Sequence, residues 1–267
     1  MSQSARARLT LPLFPLGSVL YPGLVLPLHI FEERYRQLVA DLLAGPEPRQ
    51  FGVIAIRHGR ETGVNGVSEL YATGCTAVLQ RAERHDDGQY DLITVGAERF
   101  RLLGLRDAGD EAVTADDGDQ ADRGDRGDLP DLGIHPDLGN EHETGNQGHY
   151  LSADVQLLPD EVGDEAEAAV VLPAVQRAFR SYLGLLADRG GAQITIPELP
   201  DEPMLMSYLV AAAVVADLPE KQRLLEEPDA HRRLMAERRL LSREMQMLRA
   251  LTATPAPDLR YAPYSQN

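Results

Sequence analysis

Apolar residues recur along this chain in three rhythms. From residue 9 to about 106 they come in short bursts divided by turn residues. Leu24–Ile30 follows Tyr21-Pro22-Gly23, where proline presets φ and glycine accepts a positive one. Phe51–Ile56 reads FGVIAI, and Thr76–Arg84 and Tyr90–Val95 flank a polar DDGQ hairpin signal at 86–89. Arg99–Arg106 follows a break at Gly96. Bursts of this length joined by tight turns predict a mostly antiparallel sheet or small barrel.

One helix interrupts the bursts. Phe31, Tyr35, Leu38 and Leu42 fall on one face at helical spacing, and Gly45-Pro46 ends the run. Glu32 and Glu33 sit in the first turn, where the helix dipole favours negative charge. The joint before it, PLHIFEERY (27–35), follows an apolar, proline-punctuated stretch at 11–26 and gathers His29, Glu32 and Arg34. Their simplest role is structural: a hydrogen-bonded histidine at a strand end and an Arg–Glu pair. A catalytic role competes with it.

Beyond residue 160 the period becomes helical. Ala168, Val171, Leu172, Val175, Phe179, Tyr182, Leu183 and Leu186 form one stripe, with Pro173 inside it predicting a kink or two abutting helices. IPELPDEP (196–203) reads as a connector, and Pro203 suits the first turn of a helix whose stripe is Leu205, Leu209, Ala212 and Ala216. A short helix from 217 ends at Pro228. A long last helix carries Leu234, Leu241, Met245 and Leu248 on one side and Arg232, Arg239 and Arg243 on the other. Residues 252–267 read as a loose tail.

Between the strand-like and helical parts, 107–149 holds thirteen acids and two arginines. So few apolar residues cannot offset chain entropy, so a disordered insertion is expected there. Tyr150–Leu157 resumes a strand pattern, so the insertion interrupts one sheet. The expected division is 9–159 for the strands, 160–251 for the helices and 252–267 for the tail.

Charge and single residues narrow the function. A net charge of −16 argues against a nucleic-acid partner, because phosphate contacts need clustered positive charge. No uncharged apolar run reaches the roughly 18 residues of a membrane span, and the start MSQSARARLTLPLFPL lacks a cleavage site, so it reads as mature protein. The one cysteine, Cys75, excludes an internal disulfide and any multi-cysteine zinc site, and fits a buried thiol in a reducing cytoplasm. The one lysine, Lys221, follows Glu220 and so cannot belong to a GxxxxGK[ST] phosphate loop. As the base of a Ser–Lys hydrolase it has no Gly-rich turn or strand around it, and an ordinary surface role fits better. HETGN (142–146) places Asn146 where a metal-binding HExxH needs histidine. The run DDGDQADRGDRGD (116–128) lacks the order of a calcium loop. No catalytic residue, metal ligand or cofactor is assigned.

LPLFPL (11–16), LYPGLVLPLHIFEERY (20–35), FGVIAI (51–56), GCTAVL (74–79), GAERFRLLGL (96–105), YLSADVQLL (150–158) and EKQRLLE (220–226) occur in this order. The set resembles the N-terminal, substrate-binding domain of the Lon protease family, in its free-standing bacterial form. The resemblance implies an α+β fold: a PUA-like, mostly antiparallel β-barrel followed by an α-helical bundle. It also implies a recognition role without catalysis, since the family's ATPase and Ser–Lys peptidase chemistry lies in other modules. Glu33 stands where the family often has proline, and 107–149 lies outside the shared pattern. The expected function is polypeptide recognition in the cytoplasm, as an adaptor or modulator in protein quality control, with polypeptide substrates or a protease or chaperone as partners. Phe31, Arg34, Tyr35, Arg99 and Phe100 are its candidate contacts. The alternative is a small-ligand or enzymatic site in a cleft between barrel and helices, with His29 and Glu32 as polar anchors.

Overall fold

The computed structural model describes residues 7–59, 67–106, 149–190 and 198–253. Residues 107–148, with the HETGN and Asp-rich motifs, lie outside the described residues, as do 254–267. The described elements are β1 (Arg8–Leu16), β2 (Val25–Ile30), α1 (Glu33–Ala44), β3 (Gln50–Gly59), β4 (Val67–Arg84), β5 (Tyr90–Arg106), β6 (Ser152–Leu158), α2 (Glu165–Gly190), α3 (Pro203–Ala213), α4 (Leu218–Glu226) and α5 (Ala230–Ala253). This is a mixed α+β chain. It divides into two compact units after Pro159, with Ala216–Glu226 returning to the first.

In the first unit the strands run β2-β5-β4-β3-β1-β6, and β6 pairs back onto β5. Five strands therefore close a circuit, and β2 lies outside it. Closure is uneven, because β5 pairs with β2 through 90–95 and with β6 through 99–106. Between these halves the register with β4 shifts from Cys75↔Arg99 to Ala77↔Gly96. The Glu98 N–H freed by that bulge donates to Thr76 Oγ1 at 2.9 Å. The predicted break at Gly96 is thus a continuous strand. Its glycine is needed for a close approach, since a Cβ there would lie 2.3 Å from the Tyr21 carbonyl oxygen.

Strand β1 falls within the strand-like part of the chain but was not singled out as a strand, and Pro12 and Pro15 punctuate it. Its pairing explains the exception. Residues 8–12 pair with β6, and 13–16 pair with β3 in parallel. The Leu13 N–H donates to Leu151 on the β6 side, so by alternation the nitrogen of Pro12 faces β3 and that of Pro15 faces β6. Each proline therefore meets the edge where pairing is not yet begun or already over.

FGVIAI is buried throughout because both faces of the sheet are covered. Phe51, Val53, Cys75 and Ala77 pack in one cluster with Tyr35, Leu38 and Val39 of α1. Ile54, Leu13, Phe100, Leu102 and Val155 pack in the other. A Cβ at Gly74 would lie 2.3 Å from Phe100 Cζ, so GCTAVL opens with glycine to make room for that ring. Helix α4, grouped by its periodicity with the later helices, belongs to the strand unit. The Tyr21 hydroxyl donates to the Lys221 carbonyl at 2.8 Å, and the Gln222 amide donates to the Thr73 carbonyl at 2.9 Å. Lys221 is half-buried rather than an ordinary surface lysine, and desolvation lowers its pKa.

In the second unit α2 packs on α5, and α3 touches both. Helix α2 runs unbroken through Pro173, so abutting helices do not form. The expected α3 stripe is wrong. Leu205 is 52% exposed, while Met206, Tyr208, Val210 and Ala211 are buried, and Ala216 lies beyond the helix. PMLMSYLVAAA is apolar on every side, so its spacing selects no face. Its N-terminus is capped by Glu202, which accepts from the N–H groups of Met204 and Leu205. Helix α5 buries Arg233 and Glu237 with its leucines. Arg233 donates to Ser207 Oγ at 2.9 Å and to the Glu227 carbonyl at 3.1 Å, and lies over the Tyr208 ring. Neither carboxyl oxygen of Glu237 meets a hydrogen-bond donor among the described residues.

Arg99 donates to the Leu225 carbonyl near the end of α4 and to the Pro159 carbonyl, both at 3.0 Å. Arg99→Met leaves two carbonyls without their donor and lowers the unfolding free energy by about 2–3 kcal/mol in urea titrations. Burial pushes the Glu237 carboxyl well above its usual 4.5, against the opposing charge of Arg233. The folded state therefore keeps a proton that the unfolded chain releases. That contribution is full below the unfolded value and is lost as pH rises through the folded one. Urea midpoints measured from pH 4.5 to 8 should move in favour of Glu237→Gln as pH rises; parallel profiles for the two proteins would contradict this.

Candidate functional site

Strand β2 has one paired edge. Among the described residues it bonds only β5, in the register Val25↔Val95 to Ile30↔Tyr90. The Leu24 carbonyl accepts from Gly96, so alternation turns the backbone polar groups of Val25, Pro27 and His29 toward the open edge. Pro27 lacks an N–H and is tolerated there for that reason. The side chains alternate too. Leu24, Leu26, Leu28 and Ile30 turn inward, while Val25, Pro27 and His29 are exposed.

A groove of about 220 Å³ lies along these residues, lined by Phe14, Pro15 and Leu16 of β1, by Pro27 to Glu32, and by Tyr35 of α1. Its floor is apolar and buried: Phe14, Ile30 and Tyr35 are each nearly inaccessible. Tyr35 is held by the Phe14 ring at 4.2 Å. The rim is mixed in character. Phe31 is 53% exposed, because it precedes α1 instead of belonging to its buried face as the spacing suggested. Arg34 pairs with Glu32 at 3.0 Å and lies over the Tyr35 ring at 4.5 Å. Glu32 is the residue before α1 and Glu33 is in its first turn.

His29 stands opposite Asp91 on β5, and His85 opens the hairpin that leads into β5. His29 Nδ1 is 2.7 Å from Asp91 Oδ1, and His85 Nε2 is 2.8 Å from Asp91 Oδ2. One carboxylate thus bridges two imidazoles. The hydrogen bond that His29 donates to the Asp91 carboxylate raises the His29 pKa above 6.5 and lowers that of Asp91.

The structure brings together Phe31, Arg34, Tyr35, His29 and Glu32. It separates Arg99 and Phe100 from them. Arg99 is 2% exposed and tied to two carbonyls, and Phe100 fills the interior above Gly74, so neither offers a surface to a ligand. Sequence reasoning missed Asp91 and His85. Asp91 is 62 residues from His29, and only the β2–β5 register joins them.

Residues 10–243 match the family described as the ATP-dependent protease La (LON) substrate-binding domain. The chain belongs to that family. It is 23% identical over 241 residues to a Lon protease of Anaeromyxobacter dehalogenans, covering 90% of this chain and 24% of that protein. It is 24% identical over 241 residues to Lon protease 2 of Myxococcus xanthus, covering 90% and 24%. The chain thus spans about a quarter of the length of the curated relatives it matches. The N-terminal domain of a Mycobacterium avium complex Lon protease shares the fold, with a TM-score of 0.51, 14% identity, and coverage of 87% of this chain and 98% of that one. Among the described residues, no helix is long and apolar enough to cross a membrane.

The bridge gives a titration prediction. His29 is solvent-exposed, so its attraction to Asp91 is present below its unfolded value and is lost as pH rises through the raised folded one. In an NMR titration, Asp91→Asn should bring the His29 midpoint down; an unchanged midpoint would remove the carboxylate as its cause.

Proposed function

We propose that this chain is a non-catalytic polypeptide-recognition module that takes extended apolar segments at the β2 edge and in the adjoining groove. The observation that carries the reading is a strand edge with no strand partner among the described residues, lying beside an apolar groove, in a member of a substrate-binding family. An unpaired edge offers main-chain hydrogen bonds to an incoming strand without regard to its sequence. The groove then selects side chains. At about 220 Å³ it is below the roughly 300–1,000 Å³ of typical small-molecule sites, so it suits one or two apolar side chains better than a metabolite.

Within this reading Phe31 is the exposed anchor, Tyr35 and Phe14 are the floor, and Arg34, held by Glu32, flanks the groove. Arg99 and Phe100 drop out because both are interior. The same reading makes the strand circuit a PUA-like barrel and places the protein in the cytoplasm, as an adaptor or modulator that presents polypeptides to a protease or chaperone.

A chemically unfolded, fluorescently labelled model protein serves as the probe. Wild type should bind it saturably without cleaving it. Phe31→Asp should weaken binding by about tenfold, on the scale of a lost aromatic anchor. Val170→Asp, at an exposed apolar position on α2, should leave binding unchanged. Equal weakening by both substitutions, or by neither, would remove the groove from the proposal.

A further inference from the structure

Three metal-ligating side chains converge from three places in the chain. His29 comes from β2, His85 from the start of the β4–β5 turn, and Asp91 from β5. Their donor atoms all lie within 4.8 Å of one another. We propose that His29 Nδ1, His85 Nε2 and an Asp91 carboxylate oxygen form a site for one divalent transition-metal ion of the zinc type. The proposal does not rest on the polypeptide reading.

The donor set selects the ion class. Two imidazole nitrogens with one carboxylate suit zinc, and also copper or nickel, better than magnesium or calcium, which prefer all-oxygen shells. Three protein ligands leave a fourth tetrahedral position for water, and the partial exposure of all three residues leaves it accessible. The spacing is close to what such an ion needs. Metal bonds of about 2.0–2.1 Å put neighbouring tetrahedral donors about 3.3 Å apart. His29 and His85 now bond different oxygens of Asp91, at 2.7 and 2.8 Å, so these contacts have to open by roughly half an ångström while donors up to 4.8 Å apart draw in. Exposed side chains can make that movement without displacing either strand.

The surroundings favour a cation. The Asp87 carboxylate acts on His29 through space and favours positive charge there. The backbone holds the pieces in register. His29 and Asp91 are directly cross-strand, and the hairpin that carries His85 is closed by its N–H to the Gln89 carbonyl at 2.9 Å. The ion would displace the protons that the imidazoles now share with Asp91, with no change of oxidation state.

Chelator-stripped protein, titrated with Co²⁺ and then Zn²⁺, tests the site. The expected result is visible d–d absorption of tetrahedral Co²⁺, saturation at one equivalent and displacement by Zn²⁺. In the unsubstituted protein, Zn²⁺ should shift the NMR ring signals of His29 and His85, a readout that does not depend on any variant. His85→Gln and Asp91→Asn should each raise the Kd by more than about tenfold. Absence of one-equivalent binding, unmoved ring signals, or unchanged affinity in both variants would overturn the proposal.

Discussion

One edge of β5 has to serve two partners. Its opposite edge is occupied by β4, so β2 takes its first half and β6 takes its second. A strand cannot present one edge to two directions without turning. The bulge beside Glu98 provides the turn, and Thr76 satisfies the N–H that it frees. Closure of the five-strand circuit depends on this exchange of partners. So does the burial of Phe100, which enters the interior just after the bulge, above Gly74.

The exchange also leaves β2 outside the circuit. It gains β5 on one side and no described strand on the other. Pro27 and the exposed His29 are compatible with that position, since an edge strand tolerates a missing donor. The groove between β2 and the end of β1 follows from the same geometry, because β1 stops pairing with β6 at Pro12. A site built from an open edge and a small apolar groove reads shape and hydrophobicity rather than one chemical group. Under the proposed function, that suits varied polypeptides. The His29–Asp91–His85 cluster stands at the rim of this groove, because His29 belongs to both.

Much of the strand unit was legible before any coordinates. Short apolar bursts marked β2, β3, β4 and β5, and the DDGQ turn marked the hairpin between the last two. Helix α1 was legible from its spacing, except for Phe31. A residue just before a helix start can share the apolar period without sharing the buried face. Strand β1 was hidden by its prolines, which are permitted only by a pairing pattern that no local window contains. The face of α3 was hidden for a different reason: a segment apolar all round has no amphipathic signal to read. At the site, Phe31, Arg34, Tyr35, His29 and Glu32 were legible as a cluster because they are contiguous. Arg99 and Phe100 were misplaced, because their types do not reveal that one caps backbone carbonyls and the other fills a core.

By itself the sequence determined the local order of elements, the acidic character of the chain, and the absence of a phosphate loop, an internal disulfide or a multi-cysteine zinc site among its residues. Periodicity, turn chemistry and residue inventory are local properties, and they survive without a fold. Only the tertiary structure decided which strand edge stays open, that α4 joins the strands, and that Asp91 and His85 stand beside His29. These are consequences of register and closure, in which residues scores of positions apart become neighbours because backbone hydrogen bonds must be satisfied around a shared strand.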